Sequence, residues 1–300
     1  MSDTLDYERG HQLLQNLIRG DATIGLISDV PAMEKQILSL LWSSASQGNA
    51  KAFRSLADCA LASLQSIGAF EGIYDEDAES RPWSDGAKEI ENDDEQLQTG
   101  LRALFEAQRL GDHEALIRFA KITRHSPDHQ PLAAKLLRDK QNPSGDELYV
   151  LGNVLLWLGQ KEASAKAIHR AADLGNLDAK FELSLYYGQG LGVEVDAARA
   201  QQWLDTAADA GHYRALYNVG SAYASGQRGE PDLAKAAEFY KRAAEAGHAR
   251  AACTLGVMIL NGELQGTKDE AIHWLNTSDE LGYPTWEMLD AAGVDDPRDE

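Results

Sequence analysis

The sequence predicts an all-α chain, a solenoid of about seven stacked antiparallel helical hairpins closed by a terminal capping helix. Three observations predict it. Glycines recur at a near-constant interval, with Gly175, Gly211, Gly247 and Gly282 spaced by 36, 36 and 35 residues. AADAGHYRALYNVG (207–220) and AAEAGHARAACTLG (243–256) share eight of fourteen residues one such period apart. Each period also holds two helix-length stretches of apolar and small residues at helical spacing, so it is a supersecondary unit that must stack to cover its apolar face.

Taken in order, helices near 5–19 and 31–47 open the array. Gly48 and Gly111 sit in the same inter-repeat context as the later glycines. The 63 residues between them hold one hairpin, 49–67 with 95–110, interrupted by a long insert. The next 64 residues hold two hairpins, 112–124 with 129–140 and 146–158 with 161–174. In the following copies, 214–225 forms a first helix with Leu216, Val219, Gly220 and Tyr223 on one face. Pro231 suits the first turn of its partner helix, which Gly247 ends in a left-handed conformation. Thr267 and Glu270 have capping-box spacing for the last partner helix. Gly152, Ser184, Gly220 and Gly256 fall at one position of successive first helices, and Trp203, Phe239 and Trp274 at one position of the second. The small residues let helices approach, and the aromatic fills what remains. A short helix at 284–291, with Tyr283 and Trp286, shields the last repeat.

These residues resemble the Sel-one-like repeat family, a branch of the tetratricopeptide-like helical repeats. The resemblance is carried by AKFELSLYYGQGLGVEVDAARAQQWLDTAADAG (179–211), by ALYNVGSAYASGQRGEPDLAKAAEFYKRAAEAG (215–247) and by AACTLGVMILNGELQGTKDEAIHWLNTSDELG (251–282). ELYVLGNVLLWLGQKEASAKAIHRAADLG (147–175) is a less typical copy, with a shorter loop and Ala167 in place of the aromatic. The resulting organisation is divergent helical repeats over 1–142 with an acidic insert at 71–95, four such repeats over 143–282, and a capping helix and acidic tail over 283–300. The resemblance implies a right-handed α-solenoid whose first helices line a concave, protein-binding wall. The partner-binding candidates it places there, outside the packing motif, are Asn153, Trp157, Glu182, Tyr186, Gln189, Asn218, Ser221, Ser225, Thr254, Met258 and Asn261. Tyr186 is a candidate because its neighbour Tyr187 is the motif tyrosine. A core role is the plainer alternative for Trp157, because 148–158 is apolar nearly all round.

The formal net charge is −20, which excludes nucleic acid as a natural partner and suits a basic protein partner. The same charge would also simply keep the chain soluble. The insert 71–95 holds eleven acids against two bases and reads as a flexible loop. It is either a solvated spacer or an arm that docks on a basic partner, with Trp83 as an aromatic anchor. Two cysteines without a CxxC suit a reducing compartment. The polar start, MSDTLDYERGHQ, is unlike a secretory signal. No apolar run is long enough to cross a membrane. A cytoplasmic monomer is expected.

Catalytic motifs are absent. GQGLGV (188–193) lies inside a hairpin rather than after a strand. His125 and His129 flank Pro127 and form a polar turn rather than a metal site. His212 and His248 are equivalent positions that stacking holds apart, and Cys253 stands where Phe181 and Tyr217 stand, in the core. No cofactor, metal or catalytic residue is expected. The functional expectation is a non-enzymatic protein-binding solenoid, an adaptor or scaffold or an inhibitor. The alternative role is a cytoplasmic immunity protein that neutralises a basic bacterial toxin or effector, a role known among proteins resembling this family. A reading of another class, an enzyme seated in the N-terminal half, is left open by the illegible first 140 residues.

Overall fold

The computed structural model describes residues 2–19, 30–65, 84–90 and 95–291, and these residues contain helices and turns but no strand. The chain divides into two compact units, Met1–Pro143 and Ser144–Glu300. The first contains α1 (Ser2–Arg19), α2 (Val30–Ser46), α3 (Ala50–Gln65), α4 (Asp85–Lys88), α5 (Glu95–Arg109), α6 (His113–Ile122) and α7 (Gln130–Arg138). The second contains α8 (Gly145–Trp157), α9 (Lys161–Asp173), α10 (Leu177–Gln189), α11 (Ala197–Asp209), α12 (Tyr213–Ala224), α13 (Leu233–Glu245), α14 (Ala249–Leu260), α15 (Lys268–Glu280) and α16 (Thr285–Ala291). The fold is an α-solenoid of helical hairpins.

In the first unit α1 packs on α2, α3 on α5, and α6 on α7. A 3₁₀ turn at Thr123–His125 joins the last pair. Phe53, Leu101, Leu104, Leu116 and Phe119 are buried between the helices. Here one expectation needs correction. The C-terminal part of the acidic insert does not behave as a solvated loop, because Ser84–Ile90 folds onto α5. Ser84 caps α4, Ala87 and Ile90 are buried, and the Ser84 N–H donates to the carboxylate of Glu106. Two apolar side chains and a buried acceptor outweigh the local charge. Trp83, offered above as an anchor, lies outside the described residues.

In the second unit each consecutive pair of helices, from α8 with α9 to α15 with α16, packs together, as serial stacking requires. The helix starts follow their caps. Ser144 and Thr267 form complete capping boxes with Glu147 and Glu270, and Asp196 and Asp232 cap α11 and α13. Asp232, rather than Pro231, therefore opens α13, with the proline just outside it. Between hairpins the backbone repeats one turn. Gly211 takes φ 86°, a left-handed value that a Cβ would strain, and the His212 N–H donates to the Ala207 carbonyl at 2.9 Å. The same pairing recurs at Gly247 and His248, and in the first unit at Gly111 (φ 95°) and Asp112.

The candidate face of the first helices

The four first helices of the second unit can be aligned through Gly152, Ser184, Gly220 and Gly256. Two residues before that point stand Val150, Glu182, Asn218 and Thr254. One residue after it stand Asn153, Leu185, Ser221 and Val257. Five residues after it stand Trp157, Gln189, Ser225 and Asn261. Intervals of three and four residues place these columns on one side of each helix. The last column is exposed in all four repeats, and the others are half-buried apart from Val150. Nine of the predicted candidates therefore do form a recurring stripe. Trp157 is 44% exposed and is not a core residue.

Two candidates fail. Tyr186 is fully buried and Met258 is 5% exposed. Both stand two residues after the alignment point, in a column with Val154 and Ala222 that is buried in every repeat. Tyr186 is not a spare neighbour of Tyr187. Its hydroxyl pairs with Ser164 Oγ at 2.7 Å, and Ser164 donates to the Gly152 carbonyl at 2.6 Å, so it ties α10 to α9 and α8. Burial raises its pKa.

The stripe is mostly neutral and its groups are tethered. The Tyr240 hydroxyl donates to Ser221 Oγ at 3.1 Å, and Thr254 Oγ1 donates to the Arg250 carbonyl at 2.8 Å. Glu182 is the exception in charge. Burial raises its pKa, opposed by nearby Arg214 and reinforced by Asp178.

The equivalent histidines His212 and His248 are structural. Each caps the following helix, its Nδ1 accepting the N–H of Ala215 (3.3 Å) or Ala251 (3.2 Å). His212 stacks on Phe181 and meets Asp178 through Nε2 at 3.1 Å, while His248 stacks on Tyr217. An imidazole that accepts at Nδ1 must be neutral or lose the cap, and burial lowers both pKa values accordingly. His129 Nδ1 meets Ser126 Oγ at 2.7 Å inside the α6–α7 turn. Cys59 is buried and Cys253 half-buried. Among the described residues no group of three or more His, Cys, Asp or Glu is arranged to hold a metal. No described helix is long and apolar enough to cross a membrane.

One feature of the second helices was not foreseen. An open cleft of about 330 Å³ is lined by His169, Tyr187, Arg199, Gln202, Trp203 and Thr206. His169 Nε2 meets the Tyr187 hydroxyl at 2.9 Å, and Arg199 donates to the same oxygen at 3.3 Å. One repeat later the equivalent Tyr223 is covered by Arg228, which pairs with Asp205. The residue equivalent to Arg228 is Gly192, where a Cβ would collide with the backbone of Lys161. The signal in the sequence is this Gly–Arg difference between two loops of equal length.

The Sel1 repeat model matches residues 177–212, 214–248 and 249–282. No curated protein matches the chain. Among solved structures, a Sel1 repeat protein from Oxalobacter formigenes is 22% identical, with 60% of this chain and 80% of that one covered and a TM-score of 0.49. A sel1 repeat protein from Klebsiella pneumoniae subsp. pneumoniae is 26% identical, covering 61% and 94%, with a TM-score of 0.39. A protective antigen of uropathogenic Escherichia coli strains that displays an SLR fold is 17% identical, covering 91% and 64%, with a TM-score of 0.37. The glycine hinges, the small–aromatic packing code and the family match coincide on the same helices, and residues 177–212, 214–248 and 249–282 are three Sel1 repeats.

Proposed function

We propose that the chain is a non-enzymatic binding protein that holds a polypeptide partner against the first helices of its second unit and acts by occupancy. Sel1 repeats commonly mediate protein–protein interaction. The observation that carries the proposal is the stripe itself. In four successive repeats the last position of the stripe is left out of the core, and in the first of them it is Trp157, a residue type that anchors interfaces. The partner is basic overall, because a net charge of −20 speeds and orients capture of a cation-rich surface. The chain acts as an adaptor or as an inhibitor.

The test is to identify what co-purifies with the full chain from its own cells and to measure that partner's affinity as salt rises. Affinity should fall with salt, fall again in Trp157→Ser, and depend on Asn153, Gln189, Ser225 or Asn261. A partner indifferent to all of these overturns the proposal. Deleting residues 71–83 reports whether the acidic insert contributes. Co-expression with the partner separates the roles, since an immunity protein protects cells from a partner that is otherwise toxic and an adaptor does not.

A further inference from the structure

The stripe has a fourth column, six residues before the alignment point, at the second position of each first helix. It reads Asp146, Asp178, Arg214, Arg250, and all four are exposed. It lies four residues before the column of Val150, Glu182, Asn218 and Thr254, so it continues the same face of the helix. The surface is continuous across repeats. Asp146 accepts from Asn176 at 2.7 Å, and Asp178 meets His212 at 3.1 Å. Arg214 lies close enough to Glu182 to act on its carboxylate.

Helix stability explains only half of this column. An aspartate in the first turn is favoured by the helix dipole, and an arginine there is disfavoured. Both arginines are nevertheless held in place. The Arg214 guanidinium lies 5.5 Å from the Tyr213 ring centre, and that of Arg250 lies 6.0 Å from the Tyr283 ring centre. The face is thus negative over α8 and α10, where Glu182 adds to Asp146 and Asp178, and positive over α12 and α14.

We infer that this face takes one extended polypeptide segment of divided charge, with basic side chains over α8 and α10 and acidic side chains over α12 and α14. Packed helices lie roughly 10 Å apart. The contacts of Asn176 with Asp146 and of His212 with Asp178 hold the starts of successive first helices about one such spacing apart, so the two charge centres are separated by about 20 Å. An extended chain spans that distance in about six residues, so the segment carries its basic and acidic groups about six residues apart. The inference rests on the reading of this face as a polypeptide-binding surface and adds the charge order of what binds.

The experiment titrates the full chain at low salt with three fluorescent peptides. One has two arginines, four neutral residues including a leucine, then two glutamates, so that its charge centres lie about six residues apart. The second has the same residues with the charges interleaved, and the third replaces the glutamates with arginines. The divided peptide should bind at least about tenfold more tightly than the interleaved one. The double variant R214E/R250E should reverse the order, so that the all-arginine peptide binds best. Circular dichroism of this variant should match the unaltered chain, since a first-turn glutamate suits the helix dipole. Equal binding of the divided and interleaved peptides, an order unchanged in R214E/R250E, or no binding at all overturns the inference. If the all-arginine peptide binds best to the unaltered chain and loses affinity in Trp157→Ser, the charge order is wrong while the binding face stands. If no peptide responds to Trp157→Ser, the binding face itself is wrong.

Discussion

In residues 144–291 the first helix of a hairpin supplies the small residue and the second supplies the bulk. A Cβ on Gly220 would stand 2.9 Å from the Tyr240 ring and 3.1 Å from the Ala236 carbonyl. On Gly256 it would stand 2.6 Å from Leu275 Cγ and 2.9 Å from the Ala271 carbonyl. In residues 1–143 the order is reversed in the central hairpin. Gly100 lies on the second helix, α5, and the three atoms nearest to a Cβ there all belong to the half-buried side chain of Leu61 on α3. That unit instead ties its first helices with charge. Arg54 of α3 pairs with Asp112 (3.2 Å) and Glu114, and Arg118 of α6 reaches back to Asp58 and to Glu114 (2.9 Å). Backbone-to-side-chain contact fixes the register of the C-terminal hairpins and dictates their sequence. Ion pairs tolerate many sequences, so the N-terminal hairpins need no recurring sequence phrase.

The contrast can be broken most forcefully at the small residues and at the aromatic buried beside them. Tyr186→Ala should cost about 3–5 kcal/mol by leaving a cavity, and Tyr186→Phe about 1 kcal/mol by removing one hydrogen bond. An interface tyrosine would show neither loss, so urea unfolding of these two variants decides the role of that residue. Gly256→Val should cost about 3 kcal/mol, because a carbonyl oxygen cannot move aside. Gly100→Ala, facing a side chain that can rotate, should cost about 1 kcal/mol or less. Equal losses at the two glycines would erase the distinction between the units.

A middle-sized effect is expected from pH. The folded pKa values of His212 and His248 are lowered by burial, with Arg214 beside both, Asp178 opposing at the first and Arg250 adding at the second. The unfolded chain therefore takes up protons first. The caps' contribution is complete above the ordinary histidine value of about 6.5 and is lost as pH falls below it. The melting temperature should drop across that window. The double variant His212→Asn with His248→Asn should flatten the drop, since Asn176 already caps α10 in this way. A slope that survives the double variant would place the proton uptake elsewhere. The smallest effect is expected from the ion pairs. Arg118→Ala should cost about 1 kcal/mol or less, and the cost should vanish at high salt.

Much of this was legible. The glycine interval located the hinges in both units because a left-handed turn admits few other residues. The stripe was legible as residues outside the packing motif. Tyr186 and Met258 were misread because a motif names the residues that must be small or aromatic, not every buried one. Reading Val154, Tyr186, Ala222 and Met258 as one column would have shown four apolar or aromatic residues in register. For Trp157 it was the core alternative that failed: its helix is apolar nearly all round, but its equivalents are Gln189, Ser225 and Asn261, and it is exposed with them. Ser84–Ile90 was hidden by the charge of its neighbours, and its acceptor Glu106 lies on a helix that the sequence does not connect to it.

The hinge turn is a local device, complete in a few backbone hydrogen bonds and one cap. The segment from His212 to Gly247 therefore begins and ends at interchangeable junctions. Excising it would join Gly211 to His248, a residue that already caps α14 as His212 caps α12. The length of the array is thus adjustable in whole cassettes, and a lineage could lengthen or shorten its reach without redesigning a single junction.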